Sequence, residues 1–185
     1  MEVGKRFARD LNEEVVEVAS LPQPLSPFRW ANYIETKSKV YQGFIDLIRR
    51  EPSQPDETVG TKADSSFFLG RWVVMGSLYR SPSKVEYSSW PKRDGSPWVE
   101  KALSTDGARF YYWFARFPIA RVVDSNNGSH RVELTDVRFF VPRIRMPFSY
   151  YMEFDDSGRL VSEGFAGNRR GSEQKSSGKE PPGPF

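Results

Sequence analysis

Fourteen prolines and fourteen glycines are spread through this chain of 185 residues, and that punctuation limits how far any helix or strand can run. Proline removes a backbone donor and glycine is entropically costly inside regular elements, so both collect at turns, caps and strand edges. Between them lie short alternating runs rich in aromatic and β-branched residues, the pattern of half-buried strands. The chain therefore reads as turn-rich and strand-dominated. Its hydrophobic fraction of 38% is low for a globular domain. The 14 Phe, 8 Tyr and 5 Trp offset this, because each aromatic ring buries a large apolar area.

Residues 1–13 read as a short helix, with Phe7, Ala8 and Leu11 at helical spacing. A strand is expected from near Glu14 through Val15-Val16-Glu17-Val18. Pro22, Pro24 and Pro27 mark Leu21–Pro27 as an extended connector. Trp30–Thr36 and Val40–Ile48 form a hairpin around Lys37-Ser38-Lys39. Arg49–Asp64 is a polar loop. The densely apolar Ser65–Arg80 is read as a strand pair broken at Gly70 and Gly76, with a helix as the alternative. Val85–Trp90 is a strand stopped by Pro91.

Ser96 is placed to cap a helix over Pro97–Leu103, and Thr105 a second one running to about Phe117. In that helix Phe110, Trp113, Phe114 and Phe117 repeat at helical spacing and are expected to face the core. Ile119–Asp124 and Arg131–Val141 flank a hairpin turn over Ser125-Asn126-Asn127-Gly128-Ser129, with Asn-Gly at its centre. Phe148–Phe154 and Arg159–Phe165 follow as the last strands. The expected fold is α+β, an antiparallel sheet of about six or seven strands with one or two packed helices. Residues 14–165 are taken as a single strand-rich domain. Residues 1–13 form a helix or linker before it, and 166–185 a polar tail too poor in apolar residues to fold alone.

The chain has no cysteine and one histidine. Disulfides, thiolate catalysis and Cys-ligated zinc are therefore excluded, as are histidine-rich metal centres. Any Ser–His–acid triad has to be built on His130, which reads more simply as a turn residue. Glu13-Glu14 and Asp155-Asp156 are adjacent pairs whose side chains diverge, so they read as solvated turn or terminus residues. The net charge is only +3, which permits contact with phosphate or lipid headgroups without requiring it. No stretch is long and apolar enough to form a membrane helix. Arg29, Arg116 and Arg121 are the candidates for holding an anionic ligand. Asp136 and Arg138 are candidates for a structural pair, with Arg121 considered as the partner of Asp136.

Three ordered segments resemble a known family. The first is Leu21-Pro22-Gln23-Pro24-Leu25-Ser26-Pro27-Phe28-Arg29-Trp30, followed by Tyr33-Ile34-Glu35-Thr36. The second is Phe114-Ala115-Arg116-Phe117-Pro118-Ile119-Ala120-Arg121-Val122. The third is Val132-Glu133-Leu134-Thr135-Asp136-Val137-Arg138-Phe139, ahead of Phe154-Asp155-Asp156-Ser157-Gly158-Arg159-Leu160. Their order and spacing are similar to the C-terminal soluble region of the YdjM-like membrane-bound metal-dependent hydrolases, over residues 18–161. The resemblance implies an N-terminal membrane-helix bundle as partner, and it places the family's divalent metal in that bundle. No cofactor and no catalytic residue then belongs to this chain.

On this reading the chain is an accessory or regulatory domain, soluble in itself. It would be associated with the membrane in the longer protein and sit on the cytoplasmic face, where Lys5, Arg6 and Arg9 suit a juxtamembrane helix. A lipid-headgroup or small-ligand module, with the membrane surface as partner, is the first alternative. A nucleic-acid-binding module is the second and is less favoured.

Overall fold

The computed structural model describes residues 2–23, 26–49, 78–126, 128–139 and 148–166. The expectations for residues 50–77 and for the tail beyond Ala166 lie outside the described residues. The chain divides into two compact units, the second beginning at Asp94.

The first unit holds α1 (Glu2–Asp10), β1 (Val15–Gln23), β2 (Ser26–Thr36), β3 (Lys39–Asp46) and β4 (Tyr87–Pro91). The four strands form one sheet in sequence order, each antiparallel to the next. The expected connector over Leu21–Pro27 is instead paired chain at both ends, with Pro22 opposite Trp30 and Gln23 opposite Ser26. β1 is an edge strand, so a residue without an N–H costs the ladder nothing when its nitrogen side faces outward.

The β2–β3 hairpin turns at Lys37-Ser38, and one carboxylate ties it down. Glu13 accepts hydrogen bonds from Thr36 Oγ1 (2.8 Å), Ser38 Oγ (3.2 Å), Lys39 Nζ (2.9 Å) and the Tyr41 hydroxyl (3.0 Å). These donors stabilise the ionised form. The Lys39, Thr36 and Tyr41 hydrogen bonds pull the Glu13 pKa down to about 2.

α1 lies against β1 and β2. A Cβ at Gly4 would sit 3.3 Å from both Asn32 Nδ2 and Val18 Cγ1, so a small residue there permits the approach. One turn on, the Phe7 ring stacks on Tyr87 at 3.9 Å and meets Tyr41 edge-on at 5.5 Å. Tyr87 in turn covers Gly43, its register partner on β3. An aromatic ring thus fills the space left where the strand has no side chain.

The second unit holds α2 (Pro97–Leu103), α3 (Asp106–Phe114), β5 (Pro118–Asn126), β6 (Ser129–Asp136), a 3₁₀ turn at Val137–Phe139, β7 (Tyr150–Asp155) and β8 (Leu160–Phe165). Its strands form a second four-stranded antiparallel sheet, again in sequence order. Both expected caps are present. Ser96 Oγ accepts from the Trp98 N–H and Thr105 Oγ1 from the Ala108 N–H, each at 3.2 Å. The core joins Val99, Ala102, Ala108 and Tyr111 of the helices to Ala120, Val132, Leu134, Tyr150, Met152 and Phe154 of the sheet.

Three further expectations are corrected. The fold is α+β and antiparallel, but two sheets of four strands replace one of six or seven. Alternation specifies pairing between chain neighbours, whereas nothing in it says that the helical stretch between β4 and β5 ends one sheet before another begins. The strand expected over Arg131–Val141 stops at Asp136. There the Asp136 carboxylate accepts from the Arg138 N–H at 2.9 Å, a local bond that competes with the ladder.

The face of α3 is also reversed. Gly107, Ala108 and Tyr111 are buried, while Phe110, Trp113 and Phe114 are 52%, 82% and 42% exposed. Phe117 is buried, but it lies beyond the helix, which ends at Phe114. Pro118 disfavours helical geometry in the residue before it. What turns α3 is close approach at its start together with the Tyr111 hydroxyl. A Cβ at Gly107 would lie 2.9 Å from the Tyr150 hydroxyl. Tyr111 accepts from the Asp136 N–H (2.8 Å) and donates to the Phe148 carbonyl (2.9 Å). A phenylalanine on that face has no group to satisfy these partners.

Candidate functional site

The three arginines set out as ligand-holding candidates have different surroundings. Arg29 belongs to the first unit. Its Nε donates to Asp46 Oδ2 at 3.3 Å and its guanidinium lies 4.9 Å from the centre of the Tyr79 ring. Burial raises the Tyr79 pKa.

Arg116 and Arg121 belong to the second unit. Arg116 follows α3. Its backbone N–H donates to Asp136 Oδ2 at 2.8 Å and its guanidinium lies over the Phe117 ring at 5.5 Å. Arg121 sits on β5 opposite Glu133, so it does not take the place beside Asp136 considered for it. Arg138 does, through Nε at 2.8 Å and Nη2 at 2.6 Å to Oδ2. Asp136 has no solvent exposure. This carboxylate therefore gathers the end of α3, the end of β6 and the 3₁₀ turn at one point.

On the sheet face away from the helices, Arg131 bridges Glu133 (3.3 Å) and Glu153 (3.1 Å). Its guanidinium lies 4.2 Å from the centre of the Tyr151 ring. The cation is held by two carboxylates and a π face together.

His130 has a more organised setting than a bare turn residue. The β5–β6 register places it opposite Ser125. Ser125 Oγ lies 2.5 Å from Nδ1, and Asp156 Oδ1 lies 3.2 Å from Nε2. The Trp98 ring stacks on the imidazole at 3.8 Å with an interplanar angle of 15°. Serine, histidine and aspartate thus form a continuous hydrogen-bonded chain.

In a catalytic triad the acid is buried so that it orients the ring and stabilises its charged form. Asp156 is 76% exposed on its side chain and stands on a turn beside Gly128, whose φ of +76° favours glycine. The arrangement clasps the β5–β6 turn to the β7–β8 turn and covers it with Trp98. Ser125 and Asp156 were not singled out from sequence as partners of His130. The signal for Ser125 was present, because a two-residue Asn-Gly turn sets Ser125 across from His130. Asp156 required the β6–β7 pairing.

Among the described residues no group of three or more His, Asp or Glu side chains is placed to hold a metal ion, and no helix is long and apolar enough to cross a membrane. The least ordinary surface feature is the aromatic ledge of the second unit. Phe110 and Trp113 are 6.3 Å apart between ring centres, and Phe114, Phe139 and Phe148 continue in a row at 6.3 and 4.7 Å.

Fold and surface together define an α+β protein with two antiparallel meander sheets that displays aromatic side chains on one helix. Neither protein-family models, curated proteins nor solved structures match this chain.

Proposed function

We propose that this chain is a soluble accessory domain of a membrane-anchored metal-dependent hydrolase. It works by contact with a partner rather than by chemistry of its own. The divalent metal of such a protein would lie in its membrane-helix bundle, and no step is assigned to residues of this chain. The observation that carries the reading is the reversal of α3. The second unit closes its core with Ala108 and Tyr111 and leaves Trp113 82% exposed, which suits a surface made for docking. The resemblance of three ordered sequence segments to the hydrolase family favours the same reading. A nucleic-acid role has less behind it, since Arg29, Arg131 and Arg138 are each engaged by carboxylates.

The test is a hydrolysis assay of the chain with Mg²⁺, Mn²⁺ or Zn²⁺ on phosphate-ester and acyl-ester substrates, beside the variants Ser125→Ala and His130→Ala. The expected result is no difference between the three proteins. Turnover that either variant abolishes while its melting curve is unchanged overturns the accessory reading.

A further inference from the structure

We infer that the first unit carries a buried polar binding site beneath α1, built from Ser20, Asn32 and Tyr87, and that its ligand is a single ordered water molecule.

The register brings these residues together. Ser20 pairs with Asn32, Asn32 with Gly43 and Gly43 with Tyr87. Directly opposed residues of antiparallel strands point to the same face, so the four form a row across the sheet. The row lies under α1, because a Cβ at Gly4 would meet both Asn32 Nδ2 and Val18 Cγ1, and Val18 shares its face with Ser20. Gly43 has no side chain, so the Tyr87 ring crosses it, and the Tyr87 hydroxyl accepts a hydrogen bond from Asn32 Nδ2 at 3.2 Å.

That bond satisfies one end of the Asn32 amide. Asn32 is 1% exposed, and its Oδ1 is buried with no hydrogen-bond partner among the described residues. Ser20 Oγ, on the neighbouring strand, is in the same condition. Turning the amide over would leave Nδ2 unmatched in place of Oδ1. Buried amide and hydroxyl groups are normally paired, with protein or with water. Two cross-strand neighbours that face the same seam without bonding each other are suited to a bridging water.

The chemistry of the row fits water. A water donates to Asn32 Oδ1 and either donates to or accepts from Ser20 Oγ. Burial raises the Tyr87 pKa, so its hydroxyl keeps a proton that it can give as a third bond. Buried waters make about three such bonds. The seam also limits size, since even a Cβ at Gly4 would stand 3.3 Å from the Asn32 amide.

The experiment is oxygen-17 relaxation dispersion of water in a solution of the chain, which counts long-lived internal waters, together with a crystal structure that places them. The expected result is a water within hydrogen-bonding distance of Asn32 and Ser20. Ser20→Val removes the hydroxyl and fills its side of the site with methyl groups, on a residue type that strands favour. It should lose about one long-lived water while still melting cooperatively.

A crystal structure with no water there, or with Asn32 bonded directly to Ser20, overturns the inference. So does dispersion that Ser20→Val leaves unchanged. The site does not depend on the accessory reading, and the hydrolysis assay and the water count stand or fall separately.

Discussion

Asp136 and Arg138 are two residues apart and form an ion pair in which Nε and Nη2 both reach the same carboxylate oxygen, at 2.8 and 2.6 Å. The carboxylate has no solvent exposure and also accepts from the backbone N–H groups of Arg116 and Arg138. Removing one partner of a buried pair leaves an uncompensated charge. Asp136→Ala removes the acceptor for all these donors and is expected to destabilise the second unit by about 3–5 kcal/mol. Arg138→Ala strands the fully buried Asp136 carboxylate with only its backbone donors and should cost as much or more. Urea denaturation of both variants checks this, and a near-neutral Arg138→Ala would show that the backbone N–H groups alone compensate the charge.

Tyr111 orients α3 through its hydroxyl. Tyr111→Phe keeps the ring but leaves the buried Asp136 N–H without its acceptor, at an expected cost of about 1–3 kcal/mol. The Tyr111 pKa is raised, chiefly by burial, so its absorbance should show no phenolate formation at a pH where exposed tyrosines ionise.

Gly43 is buried in β3 with the Tyr87 ring against it; a Cβ there would come within 2.9 Å of two ring carbons. Alanine has the higher strand preference, yet Gly43→Ala should destabilise by about 1–3 kcal/mol. It pushes Tyr87 off its seat and with it the stack on Phe7. Hydrogen exchange should quicken first in α1. Unchanged protection of α1 would mean that the Phe7–Tyr87 contact does not hold the helix.

Glu13 has a defined pH signature. Its folded pKa of about 2 lies below the ordinary value of 4.5, so folding favours the ionised form. Its contribution is fully present above pH 4.5 and is lost as pH falls toward 2. Glu13→Gln should melt at a lower temperature at pH 7, and the gap from the parent chain should close between pH 4.5 and 2. A gap that persists unchanged to pH 2 would assign the effect to packing rather than charge.

Local elements were largely legible in the sequence. Thr36 and Val40 bounded the β2–β3 hairpin, Ser96 and Thr105 capped their helices, and Asn127-Gly128 marked the β5–β6 turn, because each rests on interactions within a few residues. The partner of a charge was less legible. Arg121 was the partner considered for Asp136, and the 3₁₀ turn brings Arg138 round to it instead. The His130 setting was half legible. Its serine follows from a two-residue turn, while its aspartate and tryptophan arrive from other strands and a helix.

The exposed aromatic ledge was the least legible feature. Phe110, Trp113, Phe114 and Phe117 form an apolar stripe that any reading of periodicity assigns to the core. By itself, then, the sequence determined the class of fold, most elements, their caps and turns, and the lack of thiol and multi-histidine chemistry. Tertiary structure alone decided that eight described strands divide into two sheets and which side of α3 faces inward. Periodicity records how apolar residues are arranged around one element. The choice of buried face depends on what the opposing surface can accept, and here that surface accepts Gly107, Ala108 and the hydrogen-bonding Tyr111.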